Sequence, residues 1–147
     1  MNDAPSITIG PLKIWVWGRQ FPDSTDYWDG NWTNATACCE GAGSRVEVTG
    51  AFLHLGELER WRNDLERFYP FLEGSVMLPT IEPTLSVRIE GKTTKTGHLK
   101  CTVDITGDHM AEKHQFLWEL DQSYLPGLIT QLDSILRDYP IRNKTQG

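Results

Sequence analysis

The stretch between Arg19 and Arg45 holds the residues of this chain whose types and spacing best suit recognition of another molecule. Its acidic residues have no basic residue among them: Asp23, Asp26, Asp29 and Glu40. Aromatic residues are interleaved with these acids: Phe21, Tyr27, Trp28 and Trp32. Carboxylates that steer a partner and aromatic rings that anchor it are typical of a surface that binds a basic protein. We therefore predict the following partner-binding residues: Asp23, Asp26, Tyr27 and Trp28.

Two other interpretations of this stretch stay open at the level of sequence. The aromatic side chains can fold back into the core while the aspartates bond nearby backbone N–H groups, as they do in many turns. The aspartates can also hold a cation. However, their D-x-x-D-x-x-D-G spacing departs from the D-x-D-x-D-G of a calcium loop, and no Glu closes the motif at the twelfth position. We predict no metal site.

The sequence lacks the motifs of common catalytic sites, namely the nucleophile elbow, the P-loop, the dinucleotide fingerprint and the H-E-x-x-H zinc motif. Cys39 and His54 are a candidate nucleophile and base. Yet Cys38 and Cys39 fall in a predicted strand of small residues, where a thiol usually serves as packing. The other histidines suit solvated hairpins better than a zinc site: His98, His109 and His114. We predict no catalytic residue, no cofactor and no enzymatic activity.

The charge, the apolar runs and the cysteine count of the sequence limit which partners and which cellular compartment we predict. The chain of 147 residues carries 14 Lys and Arg against 20 Asp and Glu, a net charge of −6. Such an acidic surface repels phosphate backbones, so we predict no nucleic-acid partner. No apolar run reaches the roughly 18 residues of a membrane helix, and the first residues lack the features of a signal peptide. Three cysteines form no disulfide framework, so we predict reduced thiols, no membrane association and a cytoplasmic location.

Strands and helices must position these residues. Alternating apolar and polar residues predict strands at 7–10, 12–17, 33–39, 45–53, 76–78, 85–90, 99–105 and 115–120. Turns are predicted at 41–43 and at 91–97, with a bulge at Gly50, and residues 19–31 are predicted to be a long loop. Apolar residues at three- and four-residue spacing predict one helix with an apolar stripe of Leu58, Trp61, Leu65, Phe68 and Leu72, and Pro70 is predicted to end it. A second helix is predicted from its apolar residues between 125 and 136, with Ser123 as its N-cap.

The predicted fold is α+β, a two-layer sandwich in which one antiparallel sheet carries two amphipathic helices on one face. The chain is predicted to be a single domain over 1–147, with a core from about 7 to 140 and a frayed tail at 141–147. The other face of the sheet is expected to be wet. Trp15 and Trp17 fall on that face, where the 19–31 loop or a partner is expected to cover them.

Two segments of the sequence are distinctive in order and spacing. These are QFPDSTDYWDGNW and DQSYLPGLITQLDSILRDYP, and a mid-chain helix with its Trp lies between them. Over residues 7 to 140 the chain resembles the WapI-type immunity proteins. Residues 29–33 read Asp-Gly-Asn-Trp-Thr where the family has Asp-Ala-Asn-Trp-Leu. Because this motif defines the likeness, we assign Asp29, Asn31 and Trp32 to the scaffold.

The resemblance implies a function as well as a fold. WapI-type proteins are small cytosolic antidotes to contact-dependent toxins, which implies that this chain sequesters and inhibits a cognate, basic toxin domain. The alternative is a small-ligand-binding or structural module with no toxin partner.

Overall fold

The chain alternates between strands and helices where its apolar pattern changes period. The computed structural model describes residues 3–91 and 98–146. The elements before the middle of the chain are β1 (Ile7–Ile9), β2 (Leu12–Arg19), α1 (Tyr27–Gly30), β3 (Trp32–Gly41), β4 (Ser44–His54) and α2 (Leu55–Phe68). They are followed by β5 (Ser75–Met77), β6 (Leu85–Glu90), β7 (His98–Ile105), β8 (Gln115–Asp121), α3 (Tyr124–Asp138) and a 3₁₀ turn at Lys144–Gln146. The turn predicted at 91–97 lies, apart from Gly91, outside the described residues.

The strands form two antiparallel sheets of four strands, in the orders β1-β2-β3-β4 and β5-β6-β7-β8. The predicted α+β class is confirmed, but the single sheet of the prediction is divided in two. Alternation along a strand reports which side chains face the core, and it carries no information about which strands pair. Helix α2 separates β4 from β5 along the chain, and the ladder is interrupted at that point.

Both sheets and two helices share one hydrophobic core. The stripe predicted for the first helix is buried at Leu58, Trp61, Leu65 and Phe68. Helix α3 buries the residues Leu125, Leu128, Leu132 and Ile135. Each sheet buries alternate residues, such as those of β6 and β7, as expected for antiparallel strands with one wet face.

The ends of the helices are close to the prediction but differ in detail. Helix α2 ends at Phe68, just before the Pro70 that was predicted to end it, and Leu72 of the predicted stripe lies beyond the helix at a positive φ of 56° while still packing against the core. Ser123 occupies the N-cap position of α3, but its side chain makes no capping hydrogen bond. Instead the Asp121 carboxylate accepts a hydrogen bond from the Ser123 N–H at 2.8 Å. The residue type at position 123 therefore predicted where this helix begins, but not which side chain makes the hydrogen bond there.

Two irregularities in the first sheet face each other across β3. The register between β2 and β3 shifts at Val16 to Gly18, and that between β3 and β4 shifts opposite Asn34, next to the bulge predicted at Gly50. Bulges bend the strands that contain them and often lie beside functional loops. Here both lie at the end of the sheet from which the β2–β3 loop leaves.

Candidate functional site

The loop of residues 20–31, which joins β2 to β3, contains one short helix that the sequence did not predict. Helix α1 (Tyr27–Gly30) forms because Asp26 caps it. The Asp26 Oδ2 atom accepts hydrogen bonds from the N–H groups of Trp28 and Asp29, each at 3.0 Å. Asp26 was predicted to bind a partner, but in the structure its carboxylate accepts hydrogen bonds from backbone N–H groups of its own loop.

The aromatic residues of the loop gather around a histidine. The His54 ring lies 5.1 Å from Tyr27, 5.5 Å from Trp28 and 5.0 Å from Trp32, measured between ring centroids. Trp28 stands at the outside of this cluster and keeps 50% of its surface exposed. Tyr27 and Trp32 are half-buried. Each of the two interpretations therefore fits part of this cluster: Trp28 is exposed enough to anchor a partner, whereas Tyr27 and Trp32 pack inward.

His54 joins the loop to the first long helix. It is the N-cap of α2, and its Nδ1 accepts a hydrogen bond from the Gly56 N–H at 3.0 Å. With Nδ1 acting as an acceptor, Nε2 carries the proton and donates to the Tyr27 carbonyl oxygen at 3.2 Å. Burial lowers the pKa of His54 below its ordinary value. In the neutral imidazole, both ring nitrogens are therefore engaged in hydrogen bonds, one as acceptor and one as donor.

Glu57 completes this junction, and its burial was not predicted. The sequence pattern places it on the solvent face of α2, yet its side chain is buried. One carboxylate oxygen accepts from the His54 N–H at 3.0 Å and the other from the Ile81 N–H at 2.8 Å. Burial raises the pKa of Glu57. The H-x-x-E spacing of a capping box was visible in the sequence, but His is an unusual residue for its first position.

Asn31 is the buried centre of the loop. Its Nδ2 donates to the carbonyl oxygens of Tyr27 at 2.7 Å and Arg142 at 2.9 Å. Its Oδ1 accepts from the Arg142 N–H at 2.9 Å and from Arg19 Nη1 at 3.1 Å. All the hydrogen bonds that an amide side chain can make are present, so the loop is fixed from within.

Two guanidinium groups lie beneath the loop. Arg19 donates to the carbonyl oxygens of Gly30 at 2.7 Å and Pro140 at 2.5 Å, and Arg142 donates to that of Ser24 at 2.7 Å. Burial, followed by the charge of Arg142, lowers the pKa of Arg19. The negative charge of the loop's aspartates is therefore partly offset by the positive charge of Arg142, which is distant in sequence but lies against the loop.

The remaining predicted site residues lie as follows. Asp23 and Asp29 are exposed, and Phe21 beside them is 48% exposed. Together with Trp28 they form what we call the loop surface: Phe21, Asp23, Trp28 and Asp29. Of the other predicted residues, Asp26 is exposed but its carboxylate caps α1, and Tyr27 packs on His54. Asn31, which was assigned to the scaffold, is buried, whereas Asp29 of the same motif is exposed. Sequence reasoning found the segment and could not separate its inner from its outer side chains.

A second aromatic surface lies on the wet face of the first sheet. Trp15 and Trp17 stack with ring centroids 6.5 Å apart and an interplanar angle of 9°. The indole N–H of Trp17 donates to Thr36 Oγ1 and that of Trp15 to the Asp3 carbonyl oxygen, each at 2.9 Å. Residues near the chain start thus contact Trp15, where the prediction expected the 19–31 loop or a partner. Trp17 stays 49% exposed.

The candidate nucleophile and base are far apart. Cys39 pairs with Val46 and His54 with Trp32, which places them seven residues apart along β3, or roughly 23 Å at about 3.3 Å per residue. Cys38, Cys39 and Cys101 are buried free thiols. Burial raises the pKa of Cys39 to about 11 and that of Cys101 to about 12. Neither buried thiol has the thiolate character of a nucleophile at neutral pH.

The predicted hairpin histidines have acidic neighbours. His98 lies 3.7 Å from Glu119, and His114 lies 3.3 Å from Glu112. Within residues 3–91 and 98–146, no group of three or more His, Cys, Asp or Glu side chains is arranged to hold a metal ion. In the same ranges, no helix is long and apolar enough to cross a membrane.

Comparison with known proteins identifies a family. A search of curated proteins gives no match. Residues 6–140 match the model of the Immunity protein WapI-like family, which covers both distinctive segments of the sequence. Immunity protein families are in general non-enzymatic, and their partner in general is a protein toxin. With its β2–β3 loop, its mid-chain helix and its closing helix all inside the match, the chain belongs to the immunity protein WapI-like family.

Proposed function

We propose that this protein binds a basic cognate toxin domain through the loop surface and inhibits it by covering its catalytic cleft. The observation that carries the proposal is Trp28, half-exposed on a loop whose backbone is held by buried hydrogen bonds. Large aromatic side chains at the centre of an interface contribute much of its binding free energy. An aromatic residue on a rigid loop contributes more, because binding then orders fewer groups.

Charge supports the same partner. Asp23 and Asp29 lie on the same loop as Trp28 and are exposed, and the chain as a whole carries a net charge of −6. Arg19 and Arg142 lie beneath the loop and donate to its carbonyl oxygens, so the outward charge comes from the aspartates. A toxin that cleaves nucleic acid needs a basic cleft, and such a cleft is complementary to this surface. Inhibition by occlusion requires no catalytic group on the immunity protein.

The test uses two charge-reversed variants with the same change in net charge. Asp23→Lys combined with Asp29→Lys alters the loop surface, while Asp26 is left intact because it caps α1. Glu73→Lys combined with Glu119→Lys is the control, at two exposed sites away from the loop. Glu73 lies beyond the C-terminal end of the 14-residue helix α2, which is roughly 21 Å long at about 1.5 Å per residue and has His54 at its other end. Glu119 follows Trp118, which packs against Gly10 at the opposite end of β2 from the loop.

Association with the toxin domain encoded beside this gene is measured at low and moderate salt. We expect the loop variant to associate at least about fivefold more slowly at low salt, with a smaller difference at moderate salt. At moderate salt the control variant should associate within about twofold of the wild type, because its charges then lie more than a Debye length, about 8–10 Å, from the contact. Trp28→Ala should raise the Kd about 30-fold, mainly through faster dissociation.

Two outcomes would overturn the proposal. If both charge variants slow association equally, only net charge matters and the loop is not the contact surface. If Trp28→Ala binds like the wild type, the loop surface is ordinary solvated surface, and the Trp15 and Trp17 face becomes the better candidate.

A further inference from the structure

The segment Pro140–Lys144, which we call the strap, crosses from the end of α3 to the loop and on to α2. Its first residue accepts a hydrogen bond from Arg19, and Ile141 packs against the core. Its last residue, Lys144, forms an ion pair with Glu59 of α2 at 2.9 Å. The prediction expected a frayed tail from residue 141, and the structure instead ties this segment to three different elements.

Arg142 makes the contacts of the strap to the loop. Its guanidinium donates to the carbonyl oxygens of Pro22 at 2.5 Å and Ser24 at 2.7 Å. Its backbone N–H and carbonyl oxygen pair with the side-chain amide of Asn31. The two carbonyls lie at the start of the loop and Asn31 at its end, so Arg142 closes the loop across its base.

The other fixed points of the loop lie mainly in its second half, where Asp26 caps α1 and the Tyr27 carbonyl oxygen accepts from Asn31 and His54. In its first half, Phe21 and Asp23 are exposed, and the Arg142 guanidinium holds two backbone carbonyl oxygens. Arg142→Ala leaves the backbone of residue 142 paired with Asn31, but it removes the side-chain donor to the carbonyl oxygens of Pro22 and Ser24. Loops with few buried contacts sample many conformations, and only a fraction of these present a binding surface correctly.

We propose that the strap holds the loop in the conformation that binds the toxin, with Arg142 as its positioning residue. This inference rests on the proposed function of the loop surface. Arg142 is a half-buried residue beneath the loop and not part of the surface itself. The strap also lies, but for Pro140, outside the residues that match the family model, which end at 140.

Electrostatics and positioning predict opposite effects for the loss of this arginine. Arg142→Ala removes a positive charge from a surface proposed to bind a basic partner, so charge alone would strengthen binding. Loss of positioning would weaken it, because the apparent Kd rises as the competent fraction falls. The sign of the change therefore separates the two effects. Arg137→Ala is the matched control, since Arg137 is an exposed arginine of α3 whose ion-pair partner is its neighbour Asp138.

The experiment combines toxin binding with hydrogen exchange of the free proteins. We expect Arg142→Ala to raise the Kd about tenfold and Arg137→Ala to leave it within about twofold. In the free Arg142→Ala protein, the amides of Trp28, Asp29 and Gly30 should exchange at least about tenfold faster, with the β2–β3 ladder unchanged. Arg142→Lys keeps the charge with a single donor group and should fall between these values, and it replaces Arg142→Ala if that variant does not fold.

The outcomes distinguish this inference from the proposed function. If the wild type fails to bind the toxin domain, the proposed function fails, and exchange of the loop amides still tests the strap. If the wild type binds and Arg142→Ala binds as tightly or more tightly, the strap does not position the loop. Unchanged exchange of the three loop amides in the substituted protein would overturn the inference in the same way.

Discussion

The side chain of Asn31 pairs with the backbone of Arg142 as a neighbouring strand would. Asn31 Nδ2 donates to the Arg142 carbonyl oxygen and Asn31 Oδ1 accepts from the Arg142 N–H, each at 2.9 Å and across 111 positions of sequence. A buried amide thus substitutes for a peptide group where the end of the β2–β3 loop meets the strap. The arrangement is sensitive to any change of donor or acceptor at Asn31, because its side chain is fully buried and has no water to replace a lost partner.

Replacement of Asn31 by alanine should destabilise the whole protein. Asn31→Ala leaves the carbonyl oxygen of Tyr27 and the N–H and carbonyl of Arg142 without their buried partner. Each unsatisfied buried polar group costs roughly 1–3 kcal/mol, so we expect the free energy of unfolding to fall by at least about 2 kcal/mol. Urea denaturation followed by tryptophan fluorescence measures it. Asn34→Ala is the control at an exposed residue of β3, and an equal effect of both substitutions would contradict the importance of the amide.

Acid should weaken the junction between the loop and α2. Burial lowers the pKa of His54 below its ordinary value of 6.5, so the unfolded chain binds a proton more readily than the folded one. The free energy of unfolding should therefore be highest above about pH 6.5 and decrease as the pH falls below it. The neighbouring Glu57 has a raised pKa, and its protonation favours the folded state at lower pH. Denaturation curves at about pH 7.5 and about pH 5.5 cover the range where His54 acts.

His54→Asn tests the source of this dependence. Asparagine caps a helix well and carries no titratable group, so the decrease between the two pH values should become smaller in the variant. The exposed His109→Asn is the matched control and should keep the wild-type dependence. Identical pH dependence in His54→Asn and the wild type would show that protonation of this ring does not affect folding.

Removal of residues 141–147 should lower stability, contrary to the expectation for a frayed tail. The deletion takes away the half-buried Ile141 and every hydrogen bond of Arg142. We expect a loss of at least about 2 kcal/mol in the free energy of unfolding. Removal of residues 145–147 alone keeps Arg142 and Lys144, and it should change stability by less than about 0.5 kcal/mol. Thermal melts of both shortened proteins give the answer, and equal melting temperatures would refute it.

The features that the sequence predicted are those that depend on neighbours along the chain. The apolar stripe of α2 and the alternation in β6 and β7 are local patterns, and both are found in the structure. The division into two sheets was missed, because strand pairing depends on contacts between distant residues. The burial of Glu57 was missed because its partners are backbone groups, one of them at Ile81.

The candidate site shows the same limit. Composition identified the acidic and aromatic segment, and it offered anchor and core as alternatives for each aromatic residue. The choice between anchor and core depends on His54, which lies on another strand. Tyr27 and Trp32 pack against its ring and are half-buried, while Trp28 stays half-exposed at the outside of the cluster. The basic residue beneath the loop was missed because Arg142 lies at the far end of the chain. No pattern within the segment itself reports either contact.

The separation of Asn31 from Arg142 has a consequence for synthesis of the protein. A ribosome makes the loop early and the strap more than a hundred residues later, because 111 positions lie between the two partners. Domains fold as units as the chain emerges, and contacts across long separations form late. Until Arg142 has left the ribosome, the nascent chain has its β2–β3 hairpin but not the contacts at the base of the loop. A chain that stops or is cut before Arg142 therefore carries the residues of the loop surface without the contacts that position them.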